Sequence, residues 1–74
     1  MKTLYCDKEK IITLLDGRSF VWLAKKIQQN GFEIKYRNLV AILNNINKNP
    51  AMIHCIAIAN VLGVSPEEIF YIKE

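Results

Sequence analysis

"NGFEIKYRNLVAIL", Asn30–Leu43, changes character at its midpoint. Lys35, Tyr36, Arg37 and Asn38 form an unbroken polar row, after which the chain turns apolar at helical spacing: Leu39, Ile42, Leu43 and then Ile46. Positions i, i+3, i+4 and i+7 share one face of a helix, so the segment predicts a helix over about 35–46 that buries one side. Ile34, just outside its start, is placed to pack on Leu39 as a hydrophobic staple, which makes Lys35 the cap residue. Burying the aliphatic face turns Arg37, Asn38, Ala41, Asn44 and Asn45 outward.

Similar patterns lie on both sides of this segment. Asp7 suits a helix cap before "KEKIITLL", whose Ile11, Ile12, Leu14 and Leu15 supply a short apolar face that Gly17 ends. Ser19 caps "FVWLAKKIQQN", where Phe20, Leu23, Ala24 and Ile27 again fall on one face; Gly31 ends it. Beyond Ile46 comes an Asn-rich connector, "NNINKNP", with Asn45 suited to the left-handed residue that ends a helix. Asn49 then reads as a cap and Pro50 as the first position of "PAMIHCIAIANVL". Met52, Cys55, Ala59 and Leu62 line one face of that helix, with Ile56 and Ile58 beside it. Gly63 closes it, and Ser65, Pro66 and Glu68 form a capping-box start to a fifth helix. No segment sustains period-two alternation. The expectation is an all-α domain of five short helices, with residues 1–6 as an N-terminal tail and residues 50–74 as C-terminal helices.

Seventy-four residues make one domain, which buries about 60–65% of the surface its unfolded chain exposes and holds about 3–5 kcal/mol of net stability. No apolar run approaches membrane-spanning length and "MKTLYCDKEK" has no secretory core, so a cytoplasmic protein is expected, with no membrane partner. Cys6 and Cys55 stand at no metal-ligand spacing; both are expected reduced, Cys55 in the core and Cys6 in the tail, with a disulfide as the lesser alternative. His54 has no carboxylate or cysteine at ligand spacing. No Gly-rich phosphate loop, paired carboxylates or Ser/Cys–His constellation is present, so no enzyme, cofactor or metal is expected. The net charge is +3 and unevenly placed. From Arg18 to Pro50, Arg18, Lys25, Lys26, Lys35, Arg37 and Lys48 face Glu33 alone, a net +5. Residues 1–17 balance, and 51–74 come to −2. A basic excess confined to one segment points to a polyanionic partner.

Ser19 to Phe70, about 70% of the chain, resembles the Cro/CI-type helix-turn-helix family of phage and bacterial regulators. "SFVWLAKKI" resembles its capped second helix, "LVAIL" the spine of its recognition helix and "NKNP" its polar connector. "IAIANVLGVSPEEIF" resembles its ending, I-A-x-x-L-G-V-S-x-x-x-L-F, and is the most specific of the four. Three departures stand out. "QQNGFEIK" makes the turn between the helices about five residues longer than usual, Phe20 replaces a glutamine that often touches phosphate, and Arg18 replaces a usual apolar residue.

The resemblance implies a compact five-helix lambda-repressor-like domain with its helix-turn-helix over 19–46, acting as a sequence-specific transcriptional regulator or repressor on double-stranded DNA. It also implies that the third helix lies in the major groove with its front toward base edges. Arg37 suits guanine, Asn38 adenine and Ala41 a thymine methyl, with Tyr36 beside them. Lys35, Asn44, Asn45, Asn47 and Lys48 flank the helix as phosphate contacts, joined by Lys25 and Lys26 of the second helix. One such module buries only about 600–1,000 Å² on DNA, and the family answers by forming homodimers. Ile53, Ala57 and Val61 on the fourth helix, or Phe70, Tyr71 and Ile72 at the end, are the candidate dimer surface. The competing reading is a protein-interaction module on the same scaffold, such as an antirepressor, an antitoxin-like partner or an inhibitor of a host protein. Phe20, Trp22 and the long turn favour it. Trp22 itself reads as packing on the first or fifth helix, or as a partner contact.

Overall fold

The computed structural model of the chain describes residues 2–73. Its elements run β1 (Thr3–Cys6), α1 (Lys8–Leu15), α2 (Phe20–Gln29), α3 (Tyr36–Leu43), α4 (Met52–Leu62), α5 (Pro66–Ile69) and β2 (Phe70–Lys73). The expected helix starts hold where a short polar side chain precedes them. Asp7 accepts a bond from the Lys10 N–H and Ser19 one from the Trp22 N–H, satisfying donors that a helix cannot pair internally. At α5 the Ser65 N–H donates to Glu68 Oε2 at 2.8 Å. Ile34 and Leu39 are both buried in the core on either side of Lys35, which does sit at the cap of α3.

The fold is not all-α. β1 and β2 pair antiparallel, with Thr3 opposite Lys73, Leu4 opposite Ile72, Tyr5 opposite Tyr71 and Cys6 opposite Phe70. Residues 3–6 of the expected tail are therefore a paired strand, and residues 70–73 do not continue the last helix. Cys6 and Phe70 face inward and are buried, while Tyr5 and Tyr71 stack on the outer face with ring centroids 5.8 Å apart.

The other edge of β1 is closed by asparagines. Asn45 Oδ1 accepts from the Cys6 N–H at 2.7 Å, and Asn45 Nδ2 donates to the Cys6 carbonyl at 3.0 Å. Asn49 repeats the pattern on Leu4: its Oδ1 accepts from the Leu4 N–H at 2.8 Å and its own N–H donates to the Leu4 carbonyl at 3.3 Å. To aim these amides, Asn45 and Asn49 take left-handed backbone, φ 59° and 57°. Asparagine enters that region more readily than most residues. Three expectations are corrected by this arrangement. α3 ends at Leu43, so Ile46 leaves the buried face and is 75% exposed. Asn49 caps no helix, and Ala51 occupies the cap of α4. Pro50 therefore lies before the helix rather than in its first turn.

One core gathers Ile11 and Leu15 of α1, Leu23, Ala24 and Ile27 of α2, Leu39, Ile42 and Leu43 of α3, and Cys55, Ala57, Ile58 and Ala59 of α4. α4 packs against α1, α2 and α5 at once. Its sequence is apolar nearly all round, so periodicity misjudged its faces. Ala57 is fully buried, whereas Met52 stands 63% exposed. Ile12, expected inside, is also exposed.

Cys6 and Cys55 are free and buried. Desolvation pushes the Cys6 thiol from 9.0 to about 12, with neighbouring Asp7 adding to it. Burial raises Cys55 in the same direction. The folded chain thus keeps protons that the unfolded chain begins to lose near pH 9.0, so stability falls as pH rises from there toward about 12. Urea midpoints measured across this range should decline, and Cys6→Ala should flatten part of the decline. Asn45→Ala strands the Cys6 N–H and carbonyl and should cost about 1–3 kcal/mol in urea unfolding. Asn45→Asp, which sets a carboxylate oxygen against the Cys6 carbonyl in place of the donor, should be destabilising as well.

Candidate nucleic-acid interface

α3 is fixed by what it buries. Leu39, Ile42 and Leu43 have 1% exposure or less, and α2 packs along them. With that face inward, Lys35, Tyr36 and Arg37 emerge on the solvent side; Tyr36 is 48% exposed. Lys35 supplies no side-chain bond to the helix it precedes, so the first N–H groups of α3 point out without an internal side-chain acceptor. The partial positive charge of a helix start adds to the charges of Lys35 and Arg37. Together they make an anion-seeking front.

The long turn before α3 is anchored. Gly31 takes φ 89°, open to glycine, and reverses the chain after α2. The Phe32 N–H then bonds the Ile27 carbonyl at 3.3 Å, and Gln28 Nε2 donates to the Ile34 carbonyl at 3.2 Å. Phe32 is half-buried and Ile34 buried, so the extra residues pack against the body. A shallow hollow beside the helix start is lined by Glu33, Ile34, Lys35, Asn38 and His54.

The expected contact residues separate into two groups. Among the described residues, the side-chain hydrogen bonds of this segment involve Asn38, Asn44, Asn45 and Asn47, leaving Lys35, Tyr36 and Arg37 free. Asn38 is half-buried and accepts from Asn47 Nδ2 at 3.3 Å. Asn44 accepts from the Lys8 ammonium, and Asn45 is committed to Cys6. Asn45 is therefore withdrawn from the phosphate set, because its amide holds β1. Ala41 is half-buried, and its carbonyl accepts from the Ile46 and Asn47 N–H groups at 2.9 and 3.0 Å. Lys48 is exposed, with Nζ 5.8 Å from the Tyr5 ring centroid.

On α2, Lys25 is exposed and Lys26 Nζ lies 5.9 Å from the centre of the Trp22 ring. The Arg18 guanidinium lies over the same ring at 4.1 Å. Its Nε also donates to the Leu15 carbonyl at 2.6 Å and its Nη2 to the Leu14 carbonyl at 3.2 Å. Trp22, half-buried, is thus the platform on which an arginine closes the end of α1. Sequence reading did not pair these two residues; their i, i+4 spacing was the available signal.

Of the candidate dimer residues, Ala57 and Phe70 are buried within the chain and are removed from that surface. Val61 is half-buried, and Ile53, Tyr71 and Ile72 are exposed. Among the described residues, no group of three His, Cys, Asp or Glu side chains is placed to hold a metal ion, and no helix is long and apolar enough to cross a membrane. Comparison with protein-family models, with curated proteins and with solved structures finds no match to this chain.

Arg37 is exposed and makes no internal hydrogen bond among the described residues, so Arg37→Ala should leave the urea midpoint within about 0.5 kcal/mol of the parent. That neutrality makes it a clean probe of binding.

Proposed function

We propose that this chain binds double-stranded DNA sequence-specifically through the front of α3 and acts as a small transcription regulator. The observation carrying this reading is the freedom of Lys35, Tyr36 and Arg37 on a helix held rigidly by Leu39, Ile42 and Leu43. A helix start with unpaired N–H groups, a lysine and an arginine fits phosphate approach, and a free guanidinium fits bidentate bonding to guanine. The +5 excess between Arg18 and Pro50 supplies the salt-sensitive attraction that any duplex binder needs. The resemblance of "SFVWLAKKI", "LVAIL" and "IAIANVLGVSPEEIF" to Cro/CI-type regulators supports the same reading, although the β1–β2 sheet departs from an all-helical domain.

With Asn45 withdrawn and Asn38 shared with Asn47, base discrimination falls mainly to Arg37 and Tyr36. Lys35, Lys48, Lys25 and Lys26 are the available phosphate contacts. A protein-interaction role is the second reading, favoured by the exposed aliphatic side chains of Met52, Ile53, Ile56 and Ile72.

Selection from random duplexes at two salt concentrations tests the proposal. Enrichment of one motif, weakened by salt, is the expected result; no enrichment beyond random would remove it. Arg37→Ala should lower discrimination at one base position by about 1–3 kcal/mol. Lys35→Ala should weaken all duplexes alike and reduce the log–log salt slope by about 0.9.

A further inference from the structure

The face of the β1–β2 sheet that looks away from the core has a composition of its own. Cys6 and Phe70 project inward and are buried. Side chains alternate along a strand, so Thr3 and Tyr5 of β1 share the outward face with Tyr71 and Lys73 of β2. Tyr5 and Tyr71 stand directly opposite one another, and their rings stack at an interplanar angle of 21°. Tyr71 is 43% exposed and Tyr5 half-buried, so the pair can be reached from solvent.

Two ammonium groups flank this pair. Lys73 Nζ lies 5.9 Å from the centre of the Tyr5 ring and Lys48 Nζ 5.8 Å from it. Lys73 is local, two residues beyond Tyr71. Lys48 belongs to the connector between α3 and α4 and is brought here by the fold, because its neighbour Asn49 is bonded to Leu4, the neighbour of Tyr5. The asparagine that holds β1 thus also sets a lysine beside the aromatic pair. Both lysines are exposed, and at about 6 Å an ammonium group is at the outer reach of attraction to a ring face. A cross-strand tyrosine pair stabilises a sheet by itself. That accounts for rings that touch, but not for two cations converging on them from separate elements.

Rings on an open sheet face with cations at their sides suit one class of ligand. An unpaired base stacks on an aromatic ring whatever its identity, and the phosphate joined to it carries the charge that a lysine neutralises. We propose that the outer face of the β1–β2 sheet is a second binding surface, which stacks bases of single-stranded DNA on Tyr5 and Tyr71 and neutralises the adjoining phosphates with Lys48 and Lys73. The choice of DNA over RNA rests on the reading of α3 as a duplex-binding helix. Lys48 is a candidate phosphate contact of that surface and the border of this one, so the two adjoin.

Fluorescence anisotropy of a labelled oligodeoxythymidylate of about eight nucleotides, titrated with the full chain at two salt concentrations, tests this with no duplex present. Its failure is therefore separate from failure of the duplex selection. Saturable binding that weakens with salt is the expected result. Tyr71→Thr, which keeps a strand-forming residue and an unchanged circular dichroism spectrum, should weaken it about 5- to 150-fold, the equivalent of one lost stack. Tyr71→Phe should bind as the parent does. Lys73→Ala should reduce the log–log salt slope by about 0.7, and this exposed variant decides the matter if Tyr71→Thr does not fold. Arg37→Ala should bind the oligonucleotide with parental affinity. Absence of saturable binding, parental affinity in a folded Tyr71→Thr, or an unchanged salt slope in Lys73→Ala would overturn the proposal. Equal or tighter binding of an oligouridylate would overturn the assignment to DNA, and loss of binding in Arg37→Ala would move the strand to α3.

Discussion

The side-chain amide of Asn45 and the side-chain oxygen and backbone N–H of Asn49 stand in for a third strand. A two-stranded sheet is marginal by itself, because each strand offers a row of donors and acceptors with nothing to bond. Here the inner strand meets β2 on one side and two asparagines on the other, so Leu4 and Cys6 have their backbone groups satisfied. The asparagines sit four residues apart, and each adopts the left-handed backbone that aims its amide across the gap. This one arrangement fixes where α3 stops, how the connector turns and where the chain enters α1. It also brings the Cys6 side chain under the sheet, into surroundings that keep its thiol protonated.

α3 is held from both sides of that arrangement. Its apolar face is locked against α2, and its exit is tied through Asn45 to the start of the chain. A helix fixed in this way presents its front as a rigid probe, and rigidity lowers the ordering cost of meeting a partner. Its polar residues divide accordingly. Among the described residues, Asn38, Asn44 and Asn45 are spent on internal bonds, whereas Lys35, Tyr36 and Arg37 are unspent. The contact surface is therefore shorter than the run of polar side chains from Lys35 to Lys48 suggests.

Much of this was legible in the sequence, because local chemistry and tertiary structure agree there. Asp7, Ser19 and the Ser65–Glu68 pair mark helix starts through bonds made within a few residues. Leu39, Ile42 and Leu43 mark a buried face because the front of α3 is polar. The misjudged elements depend on distant partners. Thr3–Cys6 alternates for only four residues, too short to distinguish a strand from a tail, and its partners lie about 40 and 70 residues away. α4 carries apolar groups on every side, so its buried face is chosen by α1, α2 and α5 rather than by its own pattern. Asn45 was legible as the left-handed residue after the helix but was misjudged as a phosphate contact, since nothing local reveals that its amide meets Cys6. The front of α3 was readable because it depends on the helix alone.

Pairing the first strand with the last also shapes how the chain reaches its native state. Thr3 cannot meet Lys73 until a loop of about 70 residues closes, and contacts so remote in sequence delay folding more than they weaken the product.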